Sequence, residues 1–193
     1  MRETREGLKI PPSGSYKPAI REKETLLSLE TTLDTTINSN GVAHDFPGHA
    51  GGGGLFRDSK GDMLGCFATY LNIPDSLYAE LFTAIMAIQI ANSKGWKVVW
   101  LECDSSMVVE IFKGNMAPPW KLRNYWEHCR RIIQSLRFKA SHIFREGNSC
   151  ADKVATFGVR SRTDYWWNLV PPFLSNDFNR NGNLLPNYRF KNL

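Results

Sequence analysis

Apolar positions are sparse up to about residue 33 and dense after it, where their spacing alternates between the period of strands and that of helices. Residues 1–33 mix Pro11, Pro12, Gly14 and Pro18 with many charges, and one brief apolar run, Leu26, Leu27 and Leu29, interrupts them. That composition predicts an irregular lead-in. Thr35-Thr36-Ile37 is β-branched and opens a strand. The segments 51–56 and 63–70 flank Asp58-Ser59-Lys60-Gly61-Asp62, a run of turn formers, so they predict a hairpin. Three successive antiparallel strands are the economical arrangement. Pro74-Asp75-Ser76 caps a helix running to about Ser93. Its stripe of Leu77, Leu81, Ala84, Ile85 and Ile88 is joined by Tyr78, Phe82, Met86 and Ile90 on other sides, which predicts a largely buried helix. The nearly continuous apolar run 97–101 predicts a central strand covered on both faces.

Beyond Asp104-Ser105-Ser106 a short helix carries Met107, Val108, Ile111 and Phe112. Pro118-Pro119 opens a second helix, with Leu122, Tyr125, Trp126, Cys129, Ile132, Ile133 and Leu136 on one face. Residues 138–144 predict the final strand, and 149–157 a short helix stopped by Gly158. The element order is β-β-β-α-β-α-α-β-α. From Val159 the chain is expected to be irregular, its aromatic residues (Tyr165, Trp166, Trp167, Phe173, Phe178, Tyr188, Phe190) docking as a tail because so much exposed aromatic surface would be a liability. Three parts are expected: a lead-in over 1–33, a domain over 34–158 and an aromatic-rich tail over 159–193.

Composition narrows the possibilities. A chain of 193 residues with 42% hydrophobic content can bury one core of ordinary size. Its net charge of +5 favours a polyanionic partner, either nucleic acid or an anionic membrane. No apolar run approaches the roughly 20 residues of a bilayer span, and the stretch with Arg2, Glu3, Arg5, Glu6 and Lys9 lacks the apolar core of a signal peptide, so a soluble, intracellular protein is expected. Cys66, Cys103, Cys129 and Cys150 are too scattered for a zinc knuckle and are expected as reduced, buried thiols. The tetraglycine 51–54 is followed by no Gly-Lys-Ser/Thr and leads into a strand, so it is not a phosphate loop. Glycines there admit the close approach of another backbone.

Candidate chemistry lies in four short stretches: Asn38-Ser39-Asn40-Gly41, Ala79-Glu80-Leu81, Leu101-Glu102-Cys103-Asp104-Ser105 and Asn148-Ser149-Cys150-Ala151-Asp152. Glu80 stands on an otherwise apolar helix, where an unpaired carboxylate is costly to bury, and it is out of register for a capping box. Asp104 follows the carboxyl end of the buried strand, where open α/β sheets place their ligands, although it could also cap the next helix, as Ser105 or Ser106 could. Asp152 on its own fits a capping-box spacing from Ser149. Glu102 shares strand parity with Asp104 and is secondary.

In motif wording and in element order, residues 34–158 resemble the RNase H type 1 domain of plant non-LTR retroelements, a reverse transcriptase-like family. The resemblance implies an RNase H-like α/β fold, with a mixed five-stranded sheet (three antiparallel strands, then two parallel) and helices on both faces. It also implies an endoribonuclease that cuts the RNA strand of RNA-DNA hybrids with two Mg²⁺ ions, or Mn²⁺ in their place, held by the residue at position 40 together with Glu80, Asp104 and Asp152. One ion would activate water and the other stabilise the leaving oxygen. The family's Asn-x-x-Ala-Asp signature, matched by Asn148 and Asp152, moves Asp152 from cap to ligand. The family has Asp where this chain has Asn40. An amide oxygen can coordinate a cation but carries no charge, so impaired activity is expected. The competing expectation is a non-catalytic nucleic-acid-binding module left from a retroelement, and a 3'-5' exonuclease with the same acids is a third. Asp34 lies about 20 Å from position 40 along an extended strand, out of reach, whereas Asp45 could fold back. The loop Arg145-Glu146-Gly147-Asn148 has no histidine, as is common in plant copies. His142 is expected to be structural, and His44, His49 and His128 show no metal-ligand grouping. Lys121, Arg123, Arg130, Arg131, Arg137, Lys139 and Arg145 stand against Glu127 alone, either as a solvated face or as a phosphate-binding one. The implied nucleic-acid contacts are Gly41, Asn148, Arg123, Arg130, Arg131 and Arg145, and the tetraglycine region is expected to face the nucleic-acid backbone. The implied partner is an RNA-DNA hybrid, recognised by helix shape and 2'-hydroxyls, with neither a membrane nor a stable protein partner.

Overall fold

In a computed structural model that describes residues 34–44, 49–72 and 75–182, the β-rich start of the pattern becomes a meander. Strands β1 (Asp34–His44), β2 (His49–Arg57) and β3 (Met63–Leu71) pair antiparallel in succession. The β2–β3 turn forms where predicted. The Asp58 carboxylate accepts from the backbone N–H groups of Lys60 and Asp62, each at 2.9 Å, and Gly61 takes the left-handed conformation at φ 86°. Helix α1 (Ser76–Ser93) begins at Asp75, whose side chain accepts from Tyr78 N at 2.9 Å. Strand β4 (Val98–Cys103) then runs parallel to β1, helices α2 (Ser106–Phe112) and α3 (Arg123–Ile133) follow, and β5 (Arg137–His142) runs parallel to β4.

Helix α4 (Ser149–Ser161) crosses the opposite face of the sheet. It does not stop at Gly158. Added there, a Cβ would stand 2.5 Å from Thr69 O of β3, so Gly158 serves close packing, and the chain leaves the helix at Arg162 in the left-handed conformation. The tail is more ordered than its composition suggests. Residues Tyr165–Trp167 form a sixth strand, β6, antiparallel to β3, and Ser175–Gly182 form a helix, α5. The expected five-stranded sheet is therefore six-stranded, in the order β5-β4-β1-β2-β3-β6. The aromatic residues dock as expected: Phe157 of α4 stacks on Phe173 and takes the edges of Tyr165 and Trp167, while Trp166 reaches Phe56. The lead-in, Asp45, Tyr188 and Phe190 lie outside the described residues.

The two faces of the sheet differ. Ile37, Val99, Leu101 and Cys103 point to one face, under α1, α2 and α3, and join the fully buried Phe56, Phe67, Leu81, Ile85 and Ile88 in the main core. Burial of each such large side chain stabilises the fold by about 1.5–3 kcal/mol. On the other face α4 lies so close that a Cβ at Gly53 would meet Ala155 N at 2.4 Å. The tetraglycine thus admits a backbone, but that backbone is α4 rather than nucleic acid, and residues 51–54 are all buried. Helix α4 covers β1, β2 and β3 and leaves β4 and β5 open, so the expectation that β4 is covered on both faces fails at Trp100, which is 40% exposed. All four cysteines are buried free thiols, and burial pushes Cys66, Cys103 and Cys129 up to about 12.

Candidate active site

Strand β4 ends at Cys103, on a rung with Ser39 of the parallel β1, and the next residues along the two strands are Asn40, still within β1, and Asp104. Helices α1 and α4 bring Glu80 and Asp152 to the same end from opposite faces of the sheet. Glu80 is seated by Gly41: a Cβ there would lie 2.2 Å from Glu80 N, so only glycine lets α1 press onto β1 at this point. Gly41 is buried in that contact. Asp152 lies in the first turn of α4, whose N-cap residue is Asn148.

Asn148 does not use its side chain as a cap. The Nδ2 group donates to Ser39 O and to Asp104 Oδ1, both at 2.9 Å, tying the α4 entrance to the middle of β1 and to the end of β4. These two donated bonds hold the side chain in place, and its Oδ1 is buried with no partner among the described residues. Ser105 occupies the N-cap position of α2 and likewise makes no capping bond; its hydroxyl serves Glu80 instead. Burial pushes the Glu80 carboxyl above the ordinary carboxylate range. The Ser105 hydrogen bond opposes that rise, the Asp104 carboxylate adds to it, and the Arg145 guanidinium opposes it.

The departure from the family pattern is visible in one bond. Asn40 is 4% exposed, and its Nδ2 donates to Asp152 Oδ1 at 3.1 Å. Arg145 reaches the same oxygen, with NH2 at 3.6 Å. The oxygen that would face a cation therefore already has an amide hydrogen and a guanidinium beside it. Among the described residues, no three His, Cys, Asp or Glu side chains come close enough to hold a metal ion. Glu80 and Asp104 still present hard oxygen donors of the kind that suits a divalent cation such as Mg²⁺. The Asn40–Asp152 half does not suit a second one, because its inward group is a donor.

Other positions fall elsewhere. Glu102 accepts from Asn38 Nδ2 at 2.8 Å, one rung deeper along β1 and β4. His142 is exposed, and its Nε2 meets Asp104 O at 3.2 Å, so it braces a strand end. Arg123, Arg130 and Arg131 lie on the exposed face of α3, and Arg130 pairs with Glu127 at 3.1 Å. No hydrogen bond or ion pair among the described residues links these three arginines to the four-residue centre, whereas Arg145 is part of it. The roles of Ser105 and Arg145 at the acids were not apparent from sequence. A serine after an acid at a helix start signals a cap first, and an arginine in a loop shows no partner.

A family model described as reverse transcriptase-like matches residues 38–158. An Arabidopsis thaliana protein that carries ribonuclease H as a provisional name is 27% identical over 141 residues; the match covers 72% of this chain, which spans only 23% of that relative's length. Among solved structures, the N-terminal RNase H domain of a Mycobacterium tuberculosis protein, fused to maltose-binding protein, superimposes with TM-score 0.62 at 20% identity, covering 67% of this chain and 95% of that one. LC11-RNase H1, from compost and solved with an RNA/DNA hybrid, gives 0.61 at 23% identity, covering 67% and 99%. The fold is RNase H-like.

Proposed function

This chain belongs to the reverse transcriptase-like family, and on that premise we propose that it is an RNase H-type domain that binds RNA-DNA hybrids and cleaves their RNA strand poorly. The observation that carries the reading is the Asn40 to Asp152 hydrogen bond. Its surroundings support descent from a hybrid nuclease: separate elements deliver Glu80, Asp104 and Asp152 to one end of the sheet, and Asn148 and Gly41 are spent on holding them there. A divalent cation, when bound, would supply Lewis-acid stabilisation of a scissile phosphate, with Glu80 and Asp104 as its holders and Mn²⁺ as a substitute for Mg²⁺. Asn40 would not help Asp152 hold the second ion expected for the family, since it turns an N–H toward that carboxylate. Loss of one such electrostatic group costs several kcal/mol of transition-state stabilisation, or orders of magnitude in rate.

Arg145, exposed beside Asp152, is the cation best placed to meet a phosphate at the centre; Arg123, Arg130 and Arg131 would add contacts that are independent of sequence. The test is cleavage of a labelled hybrid in Mg²⁺ and in Mn²⁺, alongside binding of the same hybrid, for the natural chain and for Asn40→Asp. The expected result is that both bind and that only the aspartate variant cuts rapidly. Comparable cutting by both would mean that another group supplies the missing charge. Failure of both to bind would remove the function altogether.

A further inference from the structure

The face of the sheet that α4 leaves open carries an ordered array of side chains. Strand register places Arg57, Thr36, Trp100 and Lys139 on one rung across β2, β1, β4 and β5, and Asn38, Glu102 and Ser141 on the next. Asn40 is on the rung after that, so the array starts at the candidate active site and runs away from it at about 7 Å per rung. The array is organised by its own contacts. Asn38 donates to Glu102 at 2.8 Å, Trp100 Nε1 donates to Ser141 Oγ at 2.6 Å, and the Lys139 ammonium lies 4.3 Å from the centroid of the Trp100 ring. A cavity of about 470 Å³ opens there, lined by Thr36, Asn38, Arg57, Trp100, Glu102 and, from the loop that carries Arg145, Gly147. That volume is within the ordinary range for small-ligand sites.

We propose that this open β4–β5 face is a single-strand track, on which a nucleotide leaving the hybrid at the active site stacks its base on Trp100, with its phosphates met by Lys139 and Arg137. An exposed tryptophan beside flexible cations is the combination that binds single strands irrespective of sequence. The exposed Lys139 leaves the ring for a phosphate at small cost as the base arrives. Lys139 and Arg137 are exposed cations on adjacent rungs, Arg137 sharing its rung with Asp34, while Asp58 and Glu102 line the cavity, and Glu102 with Asn38 offers an acceptor and an amide to a base edge. The rung spacing is close to the separation of successive nucleotides, so a strand passing Asn40 and Arg145 reaches Trp100 with no gap to bridge.

The proposal rests on hybrid binding at the acid centre, and three probes keep the two questions apart: a blunt RNA-DNA hybrid, the same hybrid with a short single-stranded RNA overhang at the 3' or the 5' end, and the single strand alone. By fluorescence anisotropy, one of the two overhangs is expected to tighten binding by the natural chain about tenfold, the effect of one stacked base. That gain is expected to vanish in Trp100→Ala, persist in Trp100→Phe and fall in Lys139→Glu, with blunt-hybrid affinity unchanged in Trp100→Ala and Trp100→Phe. Lys139 is exposed, so its variant tests the track even where Trp100→Ala fails to fold. The proposal is overturned if neither overhang adds affinity, or if the gain survives in both Trp100→Ala and Lys139→Glu. Loss of blunt-hybrid binding together with Trp100-dependent binding of the single strand would overturn the reading of the acid centre and leave the track standing.

Discussion

Restoring the family's carboxylate should make the metal-free protein less stable. In Asn40→Asp the donor that now meets Asp152 at 3.1 Å is replaced by a second negative oxygen in a site where position 40 is 4% exposed. Two effects add. A hydrogen bond to a charged group, worth about 1.5–3 kcal/mol, is lost. Two unit charges 3.1 Å apart would repel by about 5 kcal/mol at an effective dielectric constant of 20. The Asp152 side chain is 26% exposed and Arg145 stands 3.6 Å from it, so much of that repulsion is screened. The net expectation is a loss of about 2–4 kcal/mol, or roughly 5–15 °C in melting temperature for a chain of this size. Divalent cations should then divide the two proteins. Binding to the native state stabilises it in proportion to the logarithm of ligand concentration over Kd, so Mg²⁺ should recover most of the loss in Asn40→Asp and change the natural chain little. The assay is thermal unfolding by circular dichroism in EDTA and in a Mg²⁺ series. Equal melting temperatures in EDTA, or equal responses to Mg²⁺, would refute the argument that Asn40 neutralises Asp152.

Gly41→Ala should cost about 1–3 kcal/mol through overpacking, because its Cβ would meet Glu80 N at 2.2 Å and push α1 outward; denaturant unfolding measures it. Asn148→Ala should cost a similar amount, since Ser39 O and Asp104 Oδ1 each lose a donor, and should weaken hybrid binding measured in the same buffer. The thiols should be inert to an aromatic disulfide reagent at pH 8 until the protein is unfolded. Because burial raises Cys66, Cys103 and Cys129 to about 12 from an unfolded value near 8.5, the stability they contribute is complete below about pH 8.5 and is lost as pH rises toward 12, so melting temperature should fall across that window. In EDTA the natural chain should bind a hybrid several-fold more tightly than Asn40→Asp, as a filter-binding comparison would show.

Much of the fold was legible because its signals are local. The Asp75 cap, the Asp58–Gly61 turn and the apolar stripe of α1 each need only neighbours in sequence, and all appear as expected. Strand β6 was not legible. Tyr165-Trp166-Trp167 has the composition of a strand, but its pairing partner β3 lies about a hundred positions earlier, and a short aromatic run beside prolines has no periodicity to reveal it. Trp100 misled for the opposite reason: an apolar run suggests burial on both faces, whereas the placement of α4 over β1, β2 and β3 leaves this strand open on one of them. At the candidate site, the order of the four stretches was visible, and so was the amide at position 40. Which way that amide points was not, since donation to Asp152 depends on two elements meeting 112 residues apart.

The direction of that hydrogen bond changes what the centre can do before any cation arrives. Asparagine and aspartate have nearly the same shape, so β1, α1 and α4 can close around either. With aspartate, closure would set a second carboxylate against Asp152, and that repulsion would have to be relieved by protons or metal. With asparagine, closure is favourable unaided: Asp152 has Asn40 and Arg145, Asp104 has Asn148, and Glu80 has Ser105. A phosphate approaching the metal-free centre then meets one negative charge fewer and still finds Arg145 exposed at its edge. The change that removes a bridging ligand therefore lowers the electrostatic barrier to holding a nucleic acid without metal. On the proposed function, weak cleavage and metal-independent binding would be two consequences of one atom's exchange, so stability, cleavage and binding should all shift together, in the directions given, when Asn40 becomes aspartate.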